Sequence, residues 1–272
     1  MAVHPTAIVE DGAELGAGVE VGPFCIVGRN AVLGEGVRLL SHVVITGHTQ
    51  IGARTAIHPQ VVLGGEGQIR KGEAPDARLV IGEDNVIRES VTISAGSKRG
   101  GGITTIGDRG YFMAYSHMGH DCHVGNDVTL ANGVQIAGHV EIGDGVIFGG
   151  LAATQQHARI GRNAFVSGLS GVSTDVIPYG MAIGLHVRLG GLNLVGLRRR
   201  GIPRERIHAL RAAYRMIFLQ GDGPIALKAS QAGERWPDVP EVQDVVSFIL
   251  AKPNRPICPA RKRGADSAAD ED

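Results

Sequence analysis

The sequence predicts a parallel β-helix followed by a small helical domain. An aliphatic residue stands at every sixth position from Val3 to Leu63, and a glycine often follows it directly, as at Gly16, Gly22 and Gly28. This period fits neither the turn of an α-helix, about 3.6 residues, nor the simple alternation of a half-buried strand. It is the signature of a β-helix in which each hexapeptide forms one side of a triangular coil. The 41 glycines and the 4% of aromatic residues fit a narrow prism with many corners.

The repeat is interrupted twice after Leu63 and fades beyond Val172. We expect each aliphatic residue to point inward and stack on its counterpart three hexapeptides later, and each glycine to accommodate the corner backbone. Residues 64–80 lose the pattern but keep the phase, which predicts a loop that replaces the wall of one coil. Residues 94–105 are a second glycine-rich excursion, and they shift the phase by one. Loops that leave a rigid scaffold often carry binding residues.

The change of pattern along the chain predicts a division into three parts. These are a β-helix over residues 1–190, an α-helical C-terminal domain over 191–258 and a disordered tail over 259–272. The first helix is expected to carry Pro203 in its first turn, and apolar residues continue at helical spacing to Ile217. Two more helices are predicted over 226–234 and 241–252. The tail consists mainly of small and charged residues, which cannot bury enough apolar surface to fold.

Composition and charge argue against several classes of protein. Lys+Arg and Asp+Glu are equal at 27, so no global charge favours a nucleic-acid partner. The cysteines are three in number and far apart, which is typical of a reducing compartment rather than a disulfide scaffold. The sequence contains neither a signal segment nor an apolar run of membrane-spanning length. It therefore predicts a cytoplasmic protein without stable membrane insertion.

The segment Tyr115–Cys122 departs from the repeat, because it places His117, His120 and Asp121 where small, neutral residues are usual. Stacking at intervals of three hexapeptides predicts what lies beside them. The predicted columns are His120 with Gly138 and Gln156, Asp121 with His139 and His157, and His117 with Gln135 and Ala153. Since neighbouring strands lie about 4.8 Å apart, these residues are expected to cluster at one edge of the prism.

The chemistry of this cluster suggests acyl transfer to a hydroxyl group. A histidine with an ordinary pKa of about 6.5 can take a proton from a sugar hydroxyl at cytosolic pH, which predicts His120 as the general base. The Gly138 amide is placed to donate to the oxyanion of a tetrahedral intermediate. Direct attack on a thioester needs no serine or cysteine nucleophile, and the sequence predicts neither a metal nor a cofactor.

Other interpretations of the histidines remain open. His117, His139 and His157 are equally consistent with corner residues that only tolerate the backbone there. A zinc site like that of γ-class carbonic anhydrases would need three imidazoles to converge between subunits. The sequence favours acyl transfer over this site.

Two further features bear on the substrates. Small residues form two columns, namely Ala131, Gly149, Ser167 and Asn132, Gly150, Gly168. They predict either a trough for an alkyl chain or corners that simply need small residues. A basic cluster, which suits phosphate or a small acidic partner, comprises Arg188, Arg198, Arg199, Arg200, Arg204, Arg206, Arg211 and Arg215.

These residues resemble one family, the UDP-N-acetylglucosamine O-acyltransferases that begin lipid A biosynthesis in Gram-negative bacteria. The resemblance runs from about His4 through the helical domain and is far more specific than the hexapeptide repeat. Its motifs are Gly22–Gly28, Ser41–Val44, Ile87–Ile93, Ser116–Cys122, Leu130–Asn132, Ala137–His139, Ser170–Val172, Asp175–Tyr179 and Gly196–Gly201.

The resemblance implies a left-handed β-helix and a homotrimer with active sites between neighbouring solenoids. It implies transfer of an (R)-3-hydroxyacyl chain from acyl carrier protein to the 3-position of UDP-GlcNAc. His120 matches the general base and Gly138 the oxyanion amide. The expected substrate-binding residues are Gln68, Lys71, His117, Asp121, His139, Gln156, Gly168, Asn193, Arg199 and Arg200, with Gly168 setting the acyl length.

Three departures from the family pattern leave the acceptor open. Ile69 and Val195 stand where acidic residues are common, and Gln155 replaces a histidine. The 3-amino analogue of UDP-GlcNAc and another nucleotide sugar are therefore alternative acceptors. An acetyl-CoA-dependent sugar acetyltransferase and a non-enzymatic binding solenoid are further alternatives on the same fold.

Overall fold

The structure, a computed structural model, describes residues 2–70, 74–251 and 254–261. It is a left-handed parallel β-helix with α-helices at its C-terminal end, so the predicted fold class is confirmed. The strands of the described residues are β1 (Ala2–Val3), β2 (Ile8–Val9), β3 (Glu14–Leu15), β4 (Glu20–Val21), β5 (Ile26–Val27), β6 (Val32–Leu33), β7 (Arg38–Leu39), β8 (Val44–Ile45), β9 (His48–Ile51), β10 (Ala56–Ile57), β11 (Val62–Gly65), β12 (Arg78–Ile81), β13 (Val86–Ile87), β14 (Thr92–Ser94), β15 (Ile103–Ile106), β16 (Tyr111–Phe112), β17 (His117–Met118), β18 (His123–Val124), β19 (Thr129–Leu130), β20 (Gln135–Ile136), β21 (Glu141–Ile142), β22 (Ile147–Phe148), β23 (Ala153–Thr154), β24 (Arg159–Ile160), β25 (Phe165–Val166), β26 (Gly171–Val172), β27 (Gly180–Ile183) and β28 (Arg188–Leu192).

Successive strands belong in turn to three parallel sheets, which form the faces of the prism. Sheet A begins with β1, β4 and β7, sheet B with β2, β5 and β8, and sheet C with β3, β6 and β9. Val3 pairs with Val21 and Leu130 with Phe148, so a regular coil takes three hexapeptides. The inward residues of all three sheets form one continuous apolar core along the axis. The corners are named below by the sheets they join: A–B, B–C and C–A.

The first excursion differs in register from the prediction. Leu63 pairs with Ile93 and Ile51 with Ile81, so this coil takes five hexapeptides and residue 81 does not stack on residue 63. The excursion is an insertion between β11 and β12, at a B–C corner, and it keeps the phase because it adds two whole repeats. In the next coil Ile81 pairs with Ile106. That coil takes four hexapeptides and one further residue, which agrees with the predicted phase shift of one.

The glycine after the inward residue has a different role from the one expected. A Cβ atom on Gly22 would lie 1.4 Å from the Leu40 carbonyl oxygen of the next coil, so this position is small because two backbones meet there. The left-handed backbone conformation falls two residues later, on Phe24, with φ of 58°. Conformational freedom is therefore not what selects glycine at this position.

The β-helix closes with an antiparallel pair, β27 and β28, which the repeat did not predict. The helices that follow are α1 (Leu194–Arg199), α2 (Arg204–Phe218), α3 (Ile225–Arg235) and α4 (Pro240–Leu250). The short helix α1 was not predicted, and Pro203 lies directly before α2 rather than in its first turn. No helix in the described part of the chain is long and apolar enough to cross a bilayer.

The C-terminal end of the described chain returns to the β-helix. The Cys258 N–H donates to the Asp175 carbonyl, and Ala260 forms a bridge with Leu189. Residues 259–261 were expected to lie in the tail, but these backbone bonds hold them against β28. The rest of the predicted tail, residues 262–272, lies outside the described residues.

Polar contacts fix the helical domain on the last coils. Arg159 donates to the buried Asp175 carboxylate at 2.7 Å and to the Phe248 carbonyl at 3.2 Å, and its guanidinium lies over the Phe248 ring. The Tyr179 hydroxyl donates to the Asp244 carboxylate of α4. Burial and the adjacent carboxylate raise the pKa of Tyr179 above its usual range, so this phenol stays a donor.

Candidate active site

The B–C corner between β17 and β18 carries His120 and Asp121, both buried. Asp121 adopts the left-handed conformation with φ of 58°, which aspartate tolerates better than most residues. Its N–H donates to the Thr104 hydroxyl at 2.8 Å, so the corner is held from the preceding coil. This backbone turn brings the two side chains together, although residues adjacent in a strand would point in opposite directions.

The imidazole of His120 and the carboxylate of Asp121 form a hydrogen-bonded pair. His120 Nδ1 lies 2.8 Å from Asp121 Oδ2, and the Asp121 side chain has no exposed surface. The Ser97 N–H donates to Oδ1 at 2.8 Å and the Ser97 hydroxyl to Oδ2 at 2.5 Å. Because an ionised carboxylate only accepts hydrogen bonds, Nδ1 carries the proton. The lone pair of His120 is therefore on Nε2.

The pKa of Asp121 reflects two opposing effects. Burial raises it, but the hydrogen bonds from Ser97 and His120 outweigh burial and hold the pKa below its usual range. The carboxylate consequently stays ionised at neutral pH. An ionised partner at Nδ1 stabilises the imidazolium that forms when Nε2 takes a proton.

Gly138, one coil further on, lies against the other side of the His120 ring. A Cβ atom at Gly138 would lie 2.6 Å from His120 Cε1 and 2.7 Å from Nε2, so any side chain there would displace the imidazole. Among the described residues, the Gly138 N–H has no hydrogen-bond acceptor, whereas the next amide, that of His139, donates to the His120 carbonyl. The corner thus presents a lone pair and an unused N–H donor close together.

Both loop excursions close over this corner. A Cβ atom on Gly67, in the first loop, would lie 3.0 Å from His120 Cβ. A Cβ atom on Gly100, in the second loop, would lie 2.1 Å from Asp121 Cγ and 2.5 Å from His139 Cε1. No motif in the sequence pointed to the contacts of Ser97 and Gly100 with this cluster, because their glycine-rich loop indicated only a region where binding residues often lie. The run of glycines in this second loop was the only sign of these contacts in the sequence.

The remaining histidines extend the cluster. The His139 ring meets that of His120 edge-on at 4.9 Å and stacks on the exposed His157 ring at 4.4 Å. Burial lowers the pKa of His139, and the neighbouring imidazoles lower it further, while Asp121 opposes the shift. Burial also lowers the pKa of His117, against a hydrogen bond with Thr92. Both rings are therefore neutral at pH 7 and able to accept or donate hydrogen bonds.

The structure leaves the other expected binding residues in different places. Gln68 is exposed beside Gly67, and Lys71 lies outside the described residues. Asn193 caps α1 by accepting from the Gly196 N–H at 2.9 Å and donates to the Asn163 carbonyl at 3.1 Å. Arg200 Nη2 lies 3.4 Å from the Gly145 carbonyl, and Arg199 is exposed. Asn193 and Arg200 therefore contact a C–A corner, whereas His120 lies on a B–C corner.

The two columns of small residues differ in what a side chain would meet. One is small because adjacent coils touch, and the other leaves more space. A Cβ atom on Gly149 would lie 2.4 Å from the Gly168 backbone nitrogen, so Gly149 is small because adjacent coils touch. A Cβ atom on Gly150 would have nothing nearer than 3.5 Å, whereas one on Gly168 would lie 3.1 Å from the Gly150 carbonyl oxygen, a tight contact, with the next backbone atoms at 3.7 and 3.9 Å. Of the two columns of small residues, only the one with Asn132, Gly150 and Gly168 leaves space at the A–B corner. Exposed Leu151 and Leu169 flank it.

Within the described residues, His120, Asp121 and His139 also form a group with potential metal-ligand atoms within 4.8 Å of one another. This set has two imidazoles, not the three of the zinc alternative. Asp121 Oδ2 already accepts hydrogen bonds from Ser97 and His120. The group fits a hydrogen-bonded base better than a metal centre.

Comparisons with known proteins agree on one family. Residues 175–258 match the family described as Udp N-acetylglucosamine O-acyltransferase, Domain 2. The solved UDP-N-acetylglucosamine acyltransferase from Campylobacter jejuni is 34% identical, covers 95% of this chain and 100% of its own, and superposes with a TM-score of 0.90.

Two sequence relatives carry the same description, acyl-[acyl-carrier-protein]--UDP-N-acetylglucosamine O-acyltransferase. The protein of Sinorhizobium medicae (strain WSM419) is 44% identical over 178 residues, an alignment that spans just 65% of each chain. The protein of Brucella ovis (strain ATCC 25840 / 63/290 / NCTC 10512) is 47% identical over 274 residues, covering 99% of this chain and 98% of that protein. On this full-length similarity, the chain belongs to the family of UDP-N-acetylglucosamine O-acyltransferases.

Proposed function

We propose that this protein transfers an (R)-3-hydroxyacyl chain from acyl carrier protein to the 3-hydroxyl of UDP-GlcNAc. The observation that carries the proposal is the His120–Asp121 pair, whose free Nε2 faces Gly138 in a corner covered by two loops. The relative from Brucella ovis is named for an acyl group on acyl carrier protein and for UDP-N-acetylglucosamine. Family and geometry support the same reaction class.

In the proposed mechanism, His120 Nε2 takes the proton of the sugar 3-hydroxyl while the hydroxyl oxygen attacks the thioester carbonyl carbon. The resulting oxyanion accepts a hydrogen bond from the Gly138 N–H. When the intermediate collapses, the carbon–sulfur bond breaks and the departing thiolate recovers the proton from Nε2. Asp121 holds the imidazole in the required tautomer and stabilises its cationic form without itself being protonated.

The proposed donor is supported by charge on the helical domain. Within the described residues, the exposed Arg199, Arg204, Arg211 and Arg215 have no carboxylate partner, whereas Arg206 pairs with the buried Glu241. Unpaired arginines on a chain of zero net charge suit a small acidic protein. The open column at Gly150 and Gly168, beside two exposed leucines, suits the alkyl chain, with Gly168 limiting its length.

The proposed assembly is a homotrimer with each site between neighbouring chains. Its support is the separation of the expected binding residues within one chain. His120 and Gly138 lie on B–C corners, but Asn193 and Arg200 lie against C–A corners. A second chain that presents sheet A, with the C–A and A–B corners on either side of it, to the B–C corner of the first would bring both sets around one substrate. The cytoplasmic location expected from the sequence stays a prediction.

The 3-amino analogue of UDP-GlcNAc is a second candidate acceptor. Ile69 lies beside Gln68 in the loop that covers His120, and Val195 lies exposed in α1 beside Asn193. Two apolar side chains at positions where the family commonly has acids remove carboxylate contacts to the sugar nucleotide. An amine acceptor would form an amide through the same base and oxyanion donor.

The test is transfer of a 3-hydroxyacyl group from acyl carrier protein to each acceptor, with acetyl-CoA as a competing donor. His120→Ala is expected to lower kcat/KM by about 10²- to 10⁴-fold. His123→Ala is the matched control, because His123 is an exposed histidine of β18, shortly after His120, and its ring hydrogen-bonds the Thr105 hydroxyl. It should keep wild-type kcat/KM.

The outcomes separate the alternatives. If only the 3-amino sugar is acylated, the acceptor is the 3-amino analogue and the product is an amide rather than an ester. Transfer from acetyl-CoA but not from acyl carrier protein would contradict the proposed donor. An active His120→Ala variant would refute the assigned base.

A further inference from the structure

Residues 254–261, here called the C-terminal strap, connect the helical domain to the edge of the prism that carries the candidate site. The strap follows α4 in the sequence and lies along the last coil. The Asp175 N–H donates to the Pro256 carbonyl and the Cys258 N–H to the Asp175 carbonyl. The buried Cys258 anchors it.

Arg255 of the strap binds the B–C corner that follows β23. Its Nε donates to the Gln156 carbonyl at 2.5 Å, and its Nη1 donates to Gln155 Oε1 and to the Ser173 carbonyl, both at 2.9 Å. A planar guanidinium that donates to three acceptors in fixed directions restricts this corner more than a single ammonium would. Gln155, which departs from the family histidine, supplies one of the acceptors. A neutral amide suits an arginine partner better than a protonated imidazole would.

The corner held by Arg255 lies directly over the candidate site. The His157 N–H donates to the Gly138 carbonyl at 3.2 Å, and the His157 ring stacks on His139. The Gln156 side chain is exposed and makes no hydrogen bond to any described residue, so it is available to a substrate. The orientation of Gln156 therefore depends on a backbone whose carbonyl is held by Arg255.

We propose that Arg255 is a positioning residue for substrate binding, which acts from the helical domain through the Gln156 backbone. The proposal rests on the proposed function, because it assigns Gln156 to substrate contact. It concerns binding rather than proton transfer, since His120 is held by Asp121, which is itself held by Ser97 and Thr104 rather than by Arg255. The docking of the strap on the β-helix is thereby coupled to the affinity of the site.

The test compares Arg255→Ala, Arg255→Lys and Gln156→Ala, singly and combined, with Arg235→Ala as control. Arg235 is an exposed arginine of α3 that contacts Trp236. Arg255→Ala is expected to raise KM roughly tenfold, as for loss of hydrogen bonds from a charged group, with kcat changed less than about twofold. Arg255→Lys should recover part of the loss. In the Gln156→Ala background, Arg255→Ala should add little.

A second measurement does not depend on activity. Hydrogen exchange of the His157 amide, which donates to the Gly138 carbonyl, is expected to accelerate in Arg255→Ala, while that of the His139 amide stays unchanged. A folded Arg255→Ala variant with wild-type KM and wild-type exchange would overturn the proposal. So would independent, multiplicative effects of Arg255→Ala and Gln156→Ala. If the wild type acylates neither acceptor, the proposed function fails, and the exchange of His157 still decides whether Arg255 positions the corner.

Discussion

Asp121 determines the geometry of the histidine cluster. Each of its oxygen atoms accepts a hydrogen bond from Ser97, and one of them also accepts from His120. A buried carboxylate is costly unless such bonds compensate for lost hydration. Because two of these bonds come from Ser97, in the second loop, the tautomer of His120 depends on a residue that is distant in sequence.

At the residue scale, we predict that stability falls as the solution becomes mildly acidic. The pKa values of folded His117 and His139 lie below that of an unfolded histidine, about 6.5. The unfolded chain therefore binds more protons, and the stabilisation is complete above pH of about 6.5 and lost as the pH falls through the folded values. The midpoint of urea unfolding should decrease from pH 7.5 to 5.5.

The control for this prediction is the double variant His117→Gln, His139→Gln, which lacks both titrating groups. Its unfolding midpoint should change less over the same pH range. If the unfolding midpoint depended equally on pH in both proteins, the pH dependence would come from groups other than His117 and His139. Protonation of Asp121 in acid does not contribute to this comparison, because an unfolded aspartate titrates only at a pH of about 3.9, below the range measured.

At the scale of the element, the hexapeptide repeat is determined by contacts between coils. The inward side chain fills the core, and the glycine after it allows the next backbone to approach. The left-handed position of the corner accepts residues as large as Phe24, Tyr115 and Leu151. This distribution explains why the glycine and the positive φ angle occur at different positions.

We predict that Gly22→Ala destabilises the protein strongly, although alanine suits the backbone angles there. Its Cβ would lie 1.4 Å from the Leu40 carbonyl oxygen, so the coils must separate. Overpacking of this kind typically costs about 1–3 kcal/mol. The matched control is Gly65→Ala, whose Cβ would have no atom within 4 Å. Thermal unfolding should show a lower midpoint for Gly22→Ala alone, and equal midpoints would contradict the packing argument.

At the scale of the whole molecule, the three corners of the prism have different chemistry. The B–C corners carry His120, His139 and His157, the C–A corners receive Arg200 and Asn193, and the A–B corners near the C-terminal end expose Leu151 and Leu169. These two leucines are 64% and 63% exposed. Exposed leucines above an open glycine column are unfavourable in water, which supports their burial in an assembly or under an acyl chain.

We predict that Leu151→Arg combined with Leu169→Arg dissociates the proposed trimer. Arginines in an apolar contact would be desolvated without partners. Analytical ultracentrifugation should then show the mass of one chain, where the wild type shows three. Leu227→Arg, at a leucine of α3 with 56% exposure, is the control and should keep the wild-type mass. A wild type with the mass of one chain would refute the assembly itself.

The sequence alone was sufficient for the β-helix, the family and the contact between His120 and Gly138. The β-helix and the His120–Gly138 contact follow from a local period of six, which repeats the same backbone contact along the axis, whereas the family follows from the motifs that depart from this repeat. The hexapeptide period also explains the error in the first loop. An insertion of two whole repeats leaves the phase unchanged, so the pattern cannot show that Leu63 pairs with Ile93.

Only the tertiary structure decided how Ser97, Gly100 and Arg255 meet the candidate site. Ser97 reaches Asp121 across 24 residues, and Arg255 reaches Gln156 across 99. Such contacts depend on how a loop and the C-terminal strap fold back over the prism, and no periodicity encodes that path. Local repetition determined the scaffold, whereas non-local hydrogen bonds determined the protonation, cover and orientation of the residues it carries.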